Sequence, residues 1–115
     1  ATDTWNLGTT GLGSNGIWGV FDNGIGLSQS WKPAVGAALS HTGNQAAFKD
    51  RENNGPLNTS RDYLATPRIT VPNNGQLRFY ARSGFLGNQG ALYKIMVAPG
   101  TAAQNDPAAY TMIEE

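Results

Sequence analysis

One explicit turn signal between two alternating segments constrains the fold of this chain more than any other feature. Apolar and polar side chains alternate in residues 68–71 and again in residues 76–82, the period expected of strands. Between them, Pro72 cannot donate to a ladder, and residues 73–75 (Asn-Asn-Gly) tolerate positive φ. The pattern predicts a β-hairpin with one buried and one solvated face. Residues 91–98 predict a third antiparallel strand beside it.

Length and composition favour a single all-β domain. A chain of 115 residues can bury one core, so we expect residues 1–115 to form one domain. Fifteen Gly, six Pro and little helical periodicity predict an antiparallel β-sandwich or jelly roll with long loops. Eight basic and eight acidic residues cancel, which disfavours nucleic acid as a partner. The sequence contains no apolar run of membrane-spanning length, no signal-like segment at Ala1 and no Cys.

Shorter patterns predict further elements, namely a terminal strand at 5–7, a Gly-rich loop at 8–16, strands at 17–22 and 46–49, and a turn at 23–26. Asp106 followed by Pro107 is typical of an N-cap with proline at the first helical position. One helical turn through Ala109 should therefore precede a strand at 110–113. The polar segment 50–61 is a long loop, and long ordered loops often carry function.

No combination of residues predicts catalysis. His41 lacks a signature such as Gly-x-Ser-x-Gly, so an exposed loop histidine is favoured over a nucleophile–base pair. Asp50 and Glu52 lie in the polar loop, and Glu114-Glu115 ends the sequence, which favours solvated charge over an acid–base pair. One His without Cys disfavours zinc. The Gly-rich run 11–16 lacks the strand–helix context of a dinucleotide site. We therefore predict that the chain is not an enzyme.

A basic stripe on the predicted hairpin is the main candidate binding surface. Arg78, Tyr80 and Arg82 alternate with the apolar positions of the second strand, and Lys94 lies alongside in the third. Such a stripe predicts contact with an acidic partner or stacking on a sugar ring. The alternative interpretation is an ordinary solvated sheet face.

Several motifs in the second half of the chain resemble a known family. They are Asp62–Pro72, Gly75–Ala81, Tyr93–Val97, Asp106–Thr111 and Ile113–Glu115. Their order and spacing resemble the cleaved-adhesin, or choice-of-anchor J, domain found in gingipain haemagglutinin/adhesin regions and other bacterial surface proteins. The resemblance implies a MAM-like jelly-roll sandwich that binds calcium and adheres to proteins, cells or glycans.

Four side chains are candidates for the calcium site that the resemblance implies. Asp22 and Asn23 lie in the turn that is richer in Asp in the family, and Asp50 and Asn53 offer oxygens from the later loop. This turn carries fewer carboxylates than the family pattern. The alternative interpretation is that Asp22 and Asn23 form a turn only, through side-chain-to-backbone hydrogen bonds.

The resemblance also implies further strands after Glu115. A jelly roll cut there would expose strand edges and an apolar face, so we expect the rest of a longer polypeptide to cover them, or else a strand-donating chain. The sequence accordingly predicts a secreted or cell-surface adhesion module that binds a host or neighbouring-cell protein or glycan. The alternatives are a structural module of a surface assembly completed by strand exchange, and an accessory carbohydrate-binding module of a secreted hydrolase.

Overall fold

Three separate two-stranded antiparallel sheets make up the fold in the computed structural model, which describes residues 18–26, 30–84, 86–87 and 90–115. The sheets pair β1 with β4, β2 with β3, and β5 with β6. The strands are β1 (Gly19–Asp22), β2 (Lys32–Val35), β3 (Gln45–Phe48), β4 (Asp62–Ala65), β5 (Ile95–Val97) and β6 (Thr111–Glu114). The all-β prediction is confirmed for this part of the chain. The predicted strand at 5–7 and loop at 8–16 lie outside the described residues.

Two short 3-10 segments, Ala37–Leu39 and Pro107–Ala109, complete the described elements. The second confirms the predicted cap, because the Asp106 side chain accepts a hydrogen bond from the Ala108 backbone N–H at 3.0 Å, with Pro107 at the start. In the described ranges, no helix has the length and apolarity needed to cross a membrane.

The sheet of β1 and β4 contains the most buried part of the molecule. Phe21 lies opposite Tyr63, and their rings stack with centroids 4.6 Å apart. The Tyr110 ring packs near Phe21 at 6.5 Å. Ala65, at the end of β4, is the one buried hydrophobic residue of the described segments, with 6% of its surface exposed. The core is therefore small and lies at one end of this sheet.

The side chain of Gln104 fastens the C-terminal part of the chain to β4. Its Nε2 donates to the carbonyl oxygens of Thr66 at 2.8 Å and Ala65 at 3.3 Å, and the backbone carbonyl of Gln104 accepts from the Tyr110 hydroxyl at 2.7 Å. A β-carbon on Gly19 would lie 2.6 Å from Gln104 Cδ. Glycine at position 19 therefore leaves the space that the Gln104 amide occupies.

The predicted hairpin is not formed as a sheet, although its turn is present. The Gly75 N–H donates to the Pro72 carbonyl at 3.0 Å, and Asn74 has φ of 58°. A positive φ at the third turn residue alone corresponds to a type II turn, which splays the strands that it joins. Pro67 and Pro72 also remove amide donors at both ends of a short segment. The prediction of two paired strands at this turn is therefore wrong.

We call residues 66–82 the arm. Its apolar side chains are solvated rather than buried, since Ile69, Val71, Leu77 and Phe79 are 58–70% exposed. This corrects the expectation of one buried face. The third predicted strand exists as β5, but it pairs with β6 and not with the arm. The connection between β5 and β6 contains the 3-10 segment Pro107–Ala109, which leads directly into β6.

Candidate functional site

The arm is held at its two ends. At the start, the Thr66 carbonyl accepts from Gln104. At the far end, the Tyr80 ring stacks on His41 with centroids 3.5 Å apart and planes 6° from parallel. Nearby, the Arg82 guanidinium donates to the Ala38 carbonyl. Both of these contacts are made to the segment 37–41, so the structure brings two of the predicted stripe residues, Tyr80 and Arg82, to the same loop.

The other two predicted stripe residues lie elsewhere. Arg78 turns back along the arm, where its Nε and Nη2 donate to Gln76 Oε1 at 3.0 and 2.7 Å. Lys94 forms an ion pair with Glu115 at 3.2 Å beside the sheet of β5 and β6. The structure therefore does not place Lys94 together with the arginines of the arm.

Between its anchored ends, the backbone of the arm is unpaired. For residues 68–71 and 76–82, which the structure describes in full, no backbone hydrogen bond to another described residue is formed apart from that of the turn at Pro72 and Gly75. Backbone N–H and C=O groups in proteins are almost always paired with protein or water. Two unpaired segments with exposed apolar side chains have the properties of an open sheet edge.

Two of the predicted calcium ligands form a turn at the end of β1. Asp22 Oδ1 accepts from the Gly24 N–H at 2.6 Å, and Asn23 Oδ1 accepts from the Ile25 N–H at 3.3 Å. Asn23 also extends the β1–β4 ladder, since its Oδ1 accepts from the Arg61 N–H at 3.1 Å. These bonds are the ones that the turn-only interpretation predicts.

The other two predicted ligands lie in the loop after β3. Asp50 forms an exposed ion pair with Lys32 at 2.9 Å. Asn53 lines a shallow pocket of about 140 Å³ together with Ile25, Gly26, Asn54 and Asn58. The loop and the turn therefore meet, but the four predicted oxygens are engaged in separate contacts. The described segments contain no group of three His, Cys, Asp or Glu side chains placed to hold a metal. Calcium binding by these four residues stays a prediction.

A buried ionic cluster lies beside this pocket, and sequence reasoning missed it. Lys49 forms ion pairs with Glu52 and, at 3.4 Å, with Asp62. The Glu52 side chain is only 2% exposed, so the expectation of a solvated carboxylate is wrong for this residue. Gly26, with φ of 98°, lies so close that a β-carbon there would collide with Glu52 Oε2 and Asn54 Oδ1. The sequence signal was weak, because Lys49 and Glu52 show only the i, i+3 spacing of opposite charges.

The environment of this cluster changes the acidity of Asp62. Burial raises the pKa of the Asp62 carboxyl above its usual range, and the Lys49 ammonium opposes this shift only in part. Burial likewise raises the pKa of the Tyr110 hydroxyl. The cluster contains one cation and two carboxylates, and it ties the loop after β3 to the start of β4. Its contacts are those of a structural connection.

The chain matches no protein-family model, no curated protein and no solved structure. The resemblance to the cleaved-adhesin domain therefore rests on its sequence motifs. The described residues define a broader class, an all-β chain.

Proposed function

We propose that this chain is a noncatalytic recognition module whose binding surface is the arm. The observation that carries the proposal is the combination of unpaired backbone and solvated apolar side chains between residues 68 and 79. Such a segment is normally covered by a partner in a soluble protein, because an open edge promotes association. The anchored ends favour binding, since a surface held in place loses less entropy when it binds.

The setting of this module is proposed from its sequence motifs. We place it in a secreted or surface-attached bacterial protein of the cleaved-adhesin type, where it adheres to a protein or glycan of a host or neighbouring cell. In this proposal, a jelly-roll sandwich closes when further strands cover the open edges of the described sheets, which leaves the arm free to bind the partner. Those strands come from the rest of a longer polypeptide or from a strand-donating chain.

A panel of immobilised glycans and host proteins tests the recognition function. The variant Leu77→Ser/Phe79→Ser removes two apolar side chains of the arm, and Leu57→Ser is the matched control because Leu57 is fully exposed outside the arm. Binding that the control retains and the arm variant loses supports the proposal. Binding to no member of the panel, or binding that the arm variant retains, overturns it.

The unpaired edges also favour a second candidate, a structural module that assembles by strand exchange. A structural module of this kind would bind no member of the panel. It would instead assemble as its concentration rises, and Leu77→Ser/Phe79→Ser would prevent assembly while Leu57→Ser would not. Sedimentation velocity over a range of concentrations separates the two candidates.

A further inference from the structure

We infer that the arm binds an extended, acidic polypeptide segment, which adds to it as a β-strand. This inference rests on the proposed recognition function and names the class of partner. Two independent observations carry it: the unpaired backbone of the arm and the sign of its charge.

The backbone requires a partner that offers donors and acceptors at strand spacing. Residues 68–71 and 76–82 present N–H and C=O groups that have no partner among the described residues apart from the turn bond. Another strand supplies complementary groups at intervals of about 3.3 Å per residue. Sugars and nucleic acids have no such regular ladder. The alternating exposed residues Ile69, Val71, Leu77 and Phe79 would then contact alternate side chains of the added strand.

The charge of the arm selects the kind of strand. Between Asp62 and Asp106 the sequence contains four basic residues and no acidic one, although the whole chain has a net charge of zero. Three of these, Arg68, Arg78 and Arg82, belong to the arm. Pairing with the arm of a second copy would bring like charges together, which disfavours that association. A segment with Asp or Glu between its apolar residues complements both the charge and the alternation.

The geometry of the arm prepares it for such a partner. Thr66 precedes a proline, which restricts its backbone to extended conformations as the chain leaves β4. Gln104 holds the Thr66 carbonyl, while His41 and Ala38 hold Tyr80 and Arg82. The middle of the arm is thus presented between two fixed points. Arg68 and Arg78 take no part in the anchoring, so their charge can be changed without releasing the arm.

Synthetic peptides test this inference with the full chain. The probe is a fluorescent peptide of about ten residues that alternates valine and glutamate, long enough to span one side of the arm. A valine–lysine peptide tests whether the arm requires an acidic partner. A valine–glutamate peptide with alternate amides N-methylated tests whether binding requires backbone hydrogen bonds between the peptide and the arm. We expect saturable binding of the first peptide in fluorescence anisotropy, weakened by added salt, and no binding of the other two.

Charge reversal on the protein gives the matching test. Arg68→Glu/Arg78→Glu should weaken binding of the acidic peptide by about three- to thirtyfold and should allow the valine–lysine peptide to bind. Arg61→Glu, a reversal outside the arm, should change neither. Amide hydrogen exchange of β4 shows whether each variant retains the fold.

Several outcomes overturn the inference. Equal binding of the acidic and basic peptides would show that the charge of the arm does not select its partner. Equal binding of the N-methylated and unmodified acidic peptides would show that the peptide does not bind through backbone hydrogen bonds. Self-association that Leu77→Ser/Phe79→Ser prevents would assign the arm to a second copy. If the arm variant loses binding to a panel member while no acidic peptide binds, the inference fails and the recognition function stands. If neither the panel nor the peptides bind, both fail.

Discussion

Replacing Gly19 by alanine tests how the C-terminal part of the chain is fixed to the β1–β4 sheet. The new β-carbon would lie 2.6 Å from Gln104 Cδ, so the side-chain amide has to move. That movement breaks the bonds from Nε2 to the Thr66 and Ala65 carbonyls. Losing two such bonds costs about 1–3 kcal/mol of stability. Alanine offsets about 0.4–1 kcal/mol of this loss, because it restricts the unfolded chain more than glycine does. We expect a net loss of about 1–2 kcal/mol in the local stability of this sheet.

Native-state amide hydrogen exchange measures this loss directly at Phe21 and Tyr63, the opposed pair whose N–H groups point into the β1–β4 ladder. A loss of this size should accelerate exchange by about 5- to 30-fold. The decisive control is the same substitution in a Gln104→Ala background, where the obstacle is absent. There, Gly19→Ala should leave exchange unchanged or slow it. Equal acceleration in both backgrounds would refute the explanation, because the effect would then not arise from the Gln104 contact.

Three further predictions concern the loop after β3 and the turn beside it. Lys49→Met should destabilise the chain by about 3 kcal/mol, because it removes the ammonium that pairs with the Glu52 and Asp62 carboxylates; a urea midpoint equal to that of the wild type would contradict this. Since burial raises the pKa of Asp62, the folded chain binds that proton more tightly than the unfolded chain. Its contribution to stability is therefore present below the usual pKa and is lost as the pH rises through the raised pKa. The free energy of unfolding of the wild type, relative to Asp62→Asn, should thus fall as the pH rises from the usual aspartate pKa through the raised one, and a rise would contradict the burial effect. Because the oxygens of Asp22 and Asn23 already accept backbone hydrogen bonds, millimolar calcium should not change amide exchange in their turn. Slower exchange that Asp22→Ala abolishes would instead demonstrate the metal site implied by the family resemblance.

Local signals in the sequence predicted local structure well. The Asp106-Pro107 pair acts within one turn of chain, and the 3-10 segment follows it as expected. The strand candidates at 17–22 and 46–49 overlap β1 and β3. In each case, the determining contacts lie within a few residues or follow the strand period.

Pairing of the arm could not be predicted from the same alternation. Whether two segments pair depends on the twist of the turn between them, and here that twist is set by the conformation of Asn73 and Asn74. Asn tolerates either sign of φ, so the sequence allowed both the hairpin turn and the splaying turn. The period showed which residues alternate, but not which surface they would contact.

The buried cluster was missed for a related reason. Glu52 is buried because the loop after β3 folds against Gly26, a contact between residues far apart in the sequence. Charge spacing does not reveal such a contact, and a polar loop in a chain of this composition is usually solvated. The predicted calcium ligands Asn53 and Asn23 do belong to the two segments that meet there, but their side-chain oxygens accept hydrogen bonds from backbone N–H groups in turns.

The separation of the described strands into three small sheets determines how this part of the chain should unfold. Each strand makes its main contacts with its own ladder partner, and a two-stranded sheet alone is marginally stable in water. The sheets should therefore open at different temperatures, so that signals from Trp31 near β4 and from Tyr93 next to β5 would give non-coincident melting curves. Adding a strand to the arm would bury apolar surface, so that the three sheets would unfold in a single thermal transition. The heat-capacity change of unfolding would then be larger. Cooperativity would then be a property of the complex and not of the isolated chain.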